Sequence, residues 1–339
     1  MKISIVVPCR NENANIEECI RAVFGSKLPE NVMLRVFIVD GMSNDGTREK
    51  VSELTKEFSS LFLIDNVEKL TPYAFNLGIH AEQSDYVQII GARHIISENY
   101  LSNCLEKLQN DPSVWCVGGK IINEYVNETG RVIASAMSTS LGMGIGNFRT
   151  LSKSGYTDTV TSPMYPRWVF EKIGYFDEEL IRNQDDDFNY RVTKAGGKIY
   201  FDADISLKYY VRGNFKNLWK QFFQYGYWKV YVNQKHKAVT TLRQLVPPIF
   251  VAYLFLSLLS WLFGGFVGAV SSLPVLLYLA LVSYVSYDIT SKDQSLKFGD
   301  VFKTFPILHI SYGLGYLKGI FDFVLLKKKP SDKQKELSR

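Results

Sequence analysis

Carboxylates gather at two places in this sequence where the backbone pattern would aim them at a ligand. Asp40 ends the run Val36-Phe-Ile-Val and is followed by Gly-Met-Ser-Asn-Asp45-Gly-Thr-Arg48. Four apolar or β-branched residues running straight into an acid and two glycines read as a buried parallel strand that ends in a functional loop. Ligands of open α/β sheets bind outside the carboxyl ends of strands, so the Asp40 carboxylate is expected to point into a crevice. Asp45 supplies a polar start for the next helix, and an ordinary cap accounts for it equally well. The second place is Asp185-Asp186-Asp187, just before an amphipathic pattern with Phe188, Val192 and Ala195 on its inner face. The positive end of a helix dipole lowers the cost of adjacent acids, so capping is one account of the cluster.

The elements that must position these acids repeat one design. Met1 to Pro8 is a strand that Pro8 is expected to terminate, because proline donates nothing to a sheet ladder. A loop, Cys9-Arg10-Asn11-Glu12-Asn13, leads into a helix with Ile16, Ile20, Val23 and Phe24 on one face. Two strand-loop-helix units in succession predict a βαβ start, a right-handed parallel connection, and loops that open on the same sheet edge. Leu61 to Asp65 is a further short strand, and Pro72 suits the first turn of the helix after Lys69.

Val6-Val-Pro8-Cys-Arg10-Asn-Glu12 together with Val39-Asp40-Gly-Met-Ser-Asn-Asp-Gly-Thr resembles the opening of the family 2 inverting glycosyltransferases. That resemblance implies the GT-A fold, an α/β nucleotide-diphospho-sugar transferase fold with a mostly parallel sheet flanked by helices. It also implies that Pro8, Arg10, Glu12 and Asp40 contact the nucleotide of the donor. The family has an N-x-G-I segment under the nucleotide, matched here by Asn76 and Gly78; a helix turn with close packing at Gly78 explains those residues as well.

The strand from Ser84 departs from the family pattern. There the family carries an Asp-x-Asp motif whose metal bridges the donor phosphates, and the two acid positions are Gly91 and Arg93 in this chain. Hard cations such as Mg²⁺ or Mn²⁺ need oxygen ligands, which neither residue supplies. No cofactor is therefore assigned, and Mg²⁺ or Mn²⁺ recruited by another acid, Asp40 or Asp185 first, stays the alternative. A guanidinium has forked donors suited to phosphate oxygens, so Arg93, with His94 beside it, is expected to replace the ion's charge; an ion pair with Asp40 or Asp185 is the alternative.

On the acceptor side, the stretch from Gly174-Tyr-Phe-Asp177-Glu-Glu-Leu180 through Asn183-Gln184-Asp185-Asp186-Asp187 to Arg191 resembles the family's acidic motif. The resemblance makes Asp185 the general base, Asp186 its nearest competitor and Asp187 the later acid of the motif, with Gln184 in place of the usual Glu. Inverting transfer needs one base opposite the leaving group, and neighbouring carboxylates suit such a base. Further on, Tyr209-Tyr-Val-Arg212 and Gln221-Phe-Phe-Gln224-Tyr-Gly-Tyr-Trp228 resemble family members of the succinoglycan-synthesis type, which build exopolysaccharides. Gln221, Gln224 and Trp228 are the acceptor-side candidates there. The segment lacks the Arg before Trp of processive synthases, which favours addition of a single sugar. Its aromatic residues also suit a helix lying on a membrane.

Composition limits the alternatives. The formal net charge is +5 over 339 residues, with charges interspersed through the first 240, which argues against a nucleic-acid partner. Cys9, Cys19, Cys104 and Cys116 lack metal or C-x-x-C spacing and read as reduced core thiols. The N-terminus does not resemble a signal peptide. Ser140 to Thr150 is glycine-rich without the dinucleotide pattern and reads as a flexible active-site segment. From Gln244 to Tyr287 there is no Asp, Glu, Lys or Arg. A membrane span needs about 20 apolar residues, so transmembrane helices are expected at about 245–268 and 273–290, with a turn near Ser271 to Pro274. An interfacial helix at about 302–326 and a basic tail follow. Lysines and arginines flank both ends, so both ends, and a catalytic domain at 1–235, are expected on the cytoplasmic side of a cell membrane, with a membrane region at 236–339. The expected partners are a nucleoside-diphosphate sugar, UDP-linked by preference, and a lipid-linked or saccharide acceptor. The alternative is a catalytically silent relative that scaffolds a polysaccharide assembly complex; a nucleotidyltransferase would leave the acceptor motif unexplained.

Overall fold

A computed structural model describes residues 1–145 and 148–330. In chain order the strands and helices are β1 (Lys2–Cys9), α1 (Ile16–Phe24), β2 (Met33–Asp40), α2 (Thr47–Glu57), β3 (Leu61–Asp65), α3 (Thr71–His80), β4 (Tyr86–Ile89), β5 (His94–Ile96) and α4 (Tyr100–Asn110). Then come β6 (Val114–Glu124), α5 (Glu128–Met137), α6 (Ser140–Met143), β7 (Gly155–Thr157), β8 (Thr161–Pro166), α7 (Trp168–Ile173), α8 (Gln184–Lys194) and β9 (Lys198–Tyr210). The last four helices are α9 (Phe215–His236), α10 (Val246–Ser260), α11 (Gly265–Lys292) and α12 (Phe298–Gly319). Packing divides the chain into one unit of residues 1–122 and 151–210 and another of residues 123–150 and 211–339.

The first unit is built on a sheet of order β3-β2-β1-β4-β8-β6-β9-β5, with β7 beside β9. β1 pairs in parallel with β2 and with β4, and β2 with β3. These strands are apolar along their length because both faces are covered; Ile3, Ile5, Val6, Val36, Ile38 and Val39 are all buried. β8 runs antiparallel to both β4 and β6, so the sheet is mixed rather than mostly parallel. Pro8 lies inside β1, not beyond it, opposite Val39. Backbone groups two residues apart point the same way, and β4 has already ended opposite Val6, with Ile90 N donating to the Val6 carbonyl at 3.0 Å. The missing donor of Pro8 therefore faces no strand. The register Cys9↔Asp40 and Asp40↔Asp65, with β4 alongside, brings the loops after β1, β2 and β4 to one edge. α3 lies close against this part of the sheet because Gly78 has no side chain; a Cβ there would fall 2.4 Å from Val6 Cγ1.

α9 belongs to the second unit, so the expected boundary at residue 235 does not follow the packing. Glycines let α9 and α12 approach closely: a Cβ on Gly226 would fall 2.0 Å from the Tyr312 carbonyl oxygen, and one on Gly315 2.0 Å from that of Phe223. The region 242–263, which includes α10, and α11 are each long and apolar enough to cross a membrane, with mean hydropathy 2.0. Most of their large apolar side chains, including Leu262, Phe263, Phe266 and Leu277, are exposed. The break between them is at Gly264, where φ is +117°, and not at Ser271 to Pro274, which lies within α11. Polar groups join the pair there: Tyr253 Oη and Ser257 Oγ donate to the Ser271 carbonyl at 2.7 and 2.9 Å. The segment expected as an interfacial helix is α12, continued by a π-helical turn at Ile320–Leu325, and it packs on α9 and α10. Lys318 and Lys328 there meet the buried Asp322, at 2.7 and 3.3 Å. Part of the expected basic tail, residues 331–339, lies outside the described residues, as do Gly146 and Asn147 of the glycine-rich segment, whose start is the short α6 capped by Thr139.

Candidate functional site

Asp40 stands at the end of β2, where the sequence pattern expects it, but its carboxylate is fully buried and turned to the protein. Oδ2 accepts from Ser43 N at 2.9 Å and from Arg48 Nη1 at 2.8 Å, while Oδ1 accepts from Ser43 Oγ. Arg48 extends to Asp65 Oδ1 at 2.7 Å, and these bonds, first to Asp65 and then to Asp40, hold its guanidinium above the ordinary arginine range. Asp40 is thus the anchor of the loop after β2, a role that depends on Ser43 and Arg48, neither singled out from the sequence. Asp45 is half of a similar clasp: it accepts from Thr47 N and Oγ1 at 3.1 and 2.5 Å and from Asn13 N at 3.2 Å. Burial alone would raise its carboxyl, but these bonds outweigh that and hold it below the usual range. The N-cap of α2 itself is Gly46, at φ +90°.

Across the same edge, Arg93 Nε donates to Glu12 Oε2 at 2.7 Å, joining the loop after β4 to the loop after β1. This is the ion pair that Arg93 makes, rather than one with Asp40 or Asp185. Burial would lower the guanidinium's proton affinity, yet the hydrogen bond and charge of Glu12 raise it overall. The terminal nitrogens of Arg93 have no hydrogen-bond partner among the described residues, and the side chain is 32 % exposed. Gly91 and His94 close the turn: His94 N donates to the Gly91 carbonyl at 2.8 Å, and His94 Nδ1 lies 2.7 Å from Ser162 Oγ. The Nδ1 edge of His94 is thereby turned to Ser162. Pro8 and Arg10 are half-buried at the end of β1, with Arg10 lying over Gly41.

Asn76 takes another role. It is buried, its amide donates to the Phe176 carbonyl and to Glu178 Oε1, both at 2.9 Å, and its oxygen accepts from Phe176 N at 3.0 Å. Its side chain therefore ties α3 to the segment before α8, and Gly78 supplies close packing.

A divalent ion would need several oxygen donors. Gly91 and Arg93 bring none, and no three His, Cys, Asp or Glu side chains gather to hold a metal among the described residues. The residues present do not fit the family's ion.

The acid cluster occupies the first turn of α8, after Asn183 at φ +60°. Phe188 anchors the helix in an aromatic group, its ring 4.5 Å from Phe176 and 5.0 Å from Phe170. The helix divides the three acids. Asp187 is buried and paired with Arg191, whose Nη2 lies 2.9 Å from Oδ2, while Arg191 also donates to the carbonyls of Ile173, Gly174 and Tyr175. Asp187 is therefore a structural partner of Arg191 and not an exposed acceptor contact. Asp186 is half-buried and Asp185 exposed.

In the second unit, Trp228 is fully buried, edge-on to Tyr227 and Tyr231 and beside Phe323, so it is a core residue. Gln221 is also buried, donating to Tyr225 Oη at 2.8 Å. Gln224 is half-buried on the same helix.

Parallel strands that bring the loops after β1, β2 and β4 to one edge of a mixed sheet are the arrangement expected of a nucleotide-sugar transferase fold. The family model described as glycosyl transferase family 2 matches residues 4–174, and the chain belongs to that family. It is 32 % identical, over 66 % of its length and 71 % of the relative's, to a dolichyl N-acetyl-alpha-D-glucosaminyl phosphate 3-beta-D-2,3-diacetamido-2,3-dideoxy-beta-D-glucuronosyltransferase of Methanococcus voltae. It is 26 % identical to the succinoglycan biosynthesis protein ExoA of Rhizobium meliloti, over 94 % of this chain and 95 % of that one. Among solved structures, a mannosyltransferase from Pyrobaculum calidifontis, in complex with GDP-Man and Mn²⁺, shares the fold at TM-score 0.58 and 18 % identity, covering 94 % of this chain and 87 % of that one.

Proposed function

We propose that this protein is a membrane-attached inverting glycosyltransferase that moves one sugar from a nucleoside-diphosphate donor, UDP-linked by preference, to a lipid-linked saccharide in cell-surface glycan synthesis. The observation that carries the reading is the division of the acid cluster: Asp187 is buried with Arg191, and Asp185 is exposed on the first turn of α8. In the reaction, Asp185 takes the proton of an acceptor hydroxyl as its oxygen bonds to the anomeric carbon. The bond from that carbon to the donor phosphate breaks on the opposite face, and the diphosphate leaves with the electron pair. The acceptor class is supported by the Methanococcus relative, whose name carries a dolichyl phosphate-linked sugar, and by the two apolar helices. The likeness to ExoA supports a role in polysaccharide synthesis.

Membranes holding the full chain, incubated with a panel of radiolabelled UDP- and GDP-sugars and extracted with organic solvent, are expected to yield label in the lipid fraction from one donor. The replacement of two family carboxylates by Gly91 and Arg93 favours a second reading, a silent scaffold. That reading gains if no donor yields label in lipid or polymer.

A further inference from the structure

We propose that Arg93, positioned by Glu12, binds the donor diphosphate in place of a divalent ion, so that nucleotide binding by this chain is independent of metal. The inference rests on the donor reading above.

Four observations converge on it. Arg93 is carried by the turn that ends β4, and that turn is fixed: Ala92 is buried and His94 N is bonded to the Gly91 carbonyl at 2.8 Å. Glu12 comes from the neighbouring loop after β1 and engages only the Nε side of the guanidinium, at 2.7 Å. The edge formed by the two terminal nitrogens is left without a partner among the described residues, and that edge can take two phosphate oxygens at once. The chain also lacks the carboxylates that an ion would need at positions 91 and 93. Glu12 then has a defined task, since an arginine held at Nε loses less side-chain freedom when the phosphate arrives. It is a positioning residue, acting on the diphosphate through Arg93.

A purely structural ion pair between Glu12 and Arg93 makes a different prediction, which separates the two. Calorimetry on the full chain in detergent, with UDP and GDP as probes, is run in EDTA and in MnCl₂, alongside thermal unfolding. For the wild type, EDTA is expected to change the Kd by less than about threefold, well below the tenfold that 1.4 kcal/mol represents. Arg93→Ala is expected to raise the Kd about 10- to 100-fold, as loss of a hydrogen bond to a charged group does. Arg93→Lys recovers part of that loss by keeping the charge, and Glu12→Gln weakens binding less than Arg93→Ala. Binding that vanishes in EDTA, returns with Mn²⁺ and survives in Arg93→Ala overturns the inference, as does an Arg93→Ala variant that melts lower but binds as wild type. A wild type that binds neither nucleotide in either condition removes the donor reading itself, whereas label transfer with metal-dependent binding would leave that reading standing and sink only this one.

Discussion

Asp185, Asp186 and Asp187 are adjacent in sequence, and a helix with 3.6 residues per turn points successive side chains about 100° apart. Three like charges therefore receive three environments, and the two ends of the series call for different effects on substitution. Asp185→Asn is expected to lower kcat at least about 10²-fold while leaving nucleotide affinity within a few-fold, because a base acts in the chemical step. Asp187→Asn should instead lower stability, by about 1.5–3 kcal/mol, since Arg191 loses its carboxylate partner but keeps the three carbonyls. Single-turnover kinetics and chemical denaturation of both variants distinguish the two; an Asp185→Asn enzyme with more than about a tenth of the wild-type kcat would pass the role to Asp186. The Asp187 to Arg191 spacing of four is that of a helix pair, but the likeness to the family motif put Asp187 on the acceptor side instead. The closure of Asp40 by Ser43 and Arg48 was not readable in the sequence, because it depends on a loop that turns through Met42 at φ +57°.

At the scale of elements, the sequence signals that succeeded are the local ones: buried strands, the loops after them and the helix that opens with the acids. Punctuation misled where the surroundings change its meaning. Pro274 reads as a turn by the rules of soluble chains, but an apolar helix packed on a neighbour tolerates proline, and the break moves to Gly264 and Gly265. Trp228 reads as an acceptor contact by likeness, yet α9 turns it inward because glycines bring α12 so close. That closeness is testable. Gly226→Ala would put a Cβ 2.0 Å from the Tyr312 carbonyl oxygen, so the helices must separate, at a cost of at least about 1–3 kcal/mol, the usual range for overpacking. Gly299→Ala, at the open start of α12, is the control and is expected to be neutral or slightly stabilising. Thermal unfolding in detergent that finds the two variants alike would mean that the α9 and α12 backbones are not in contact.

For the whole molecule, the division into units was the part least legible in the sequence, because residues 123–150 join the C-terminal helices by contacts distant in the chain. Arg131, for instance, meets Asp293 at 2.6 Å, and Val132 and Ala136 share a core with Val301 and Phe305. The charge pattern around the apolar helices leads to a prediction for that unit. Lys235, Lys237 and Arg243 precede the first helix and Lys327 to Lys329 lie beyond the second, while the turn Trp261 to Gly265 carries no charge. If the helices span, the turn faces the outside and both charged flanks the inside. The four native cysteines are buried, and burial pushes the Cys19 thiol up to about 12, so they give little background to a maleimide that needs the thiolate. Leu262→Cys, at an exposed position of the turn, is therefore expected to react with an impermeant maleimide on intact spheroplasts. Val239→Cys, exposed before the first helix, should react only after permeabilisation. The opposite pattern would reverse the orientation, and labelling of both on intact spheroplasts would mean that the pair lies on one face of the membrane without crossing it.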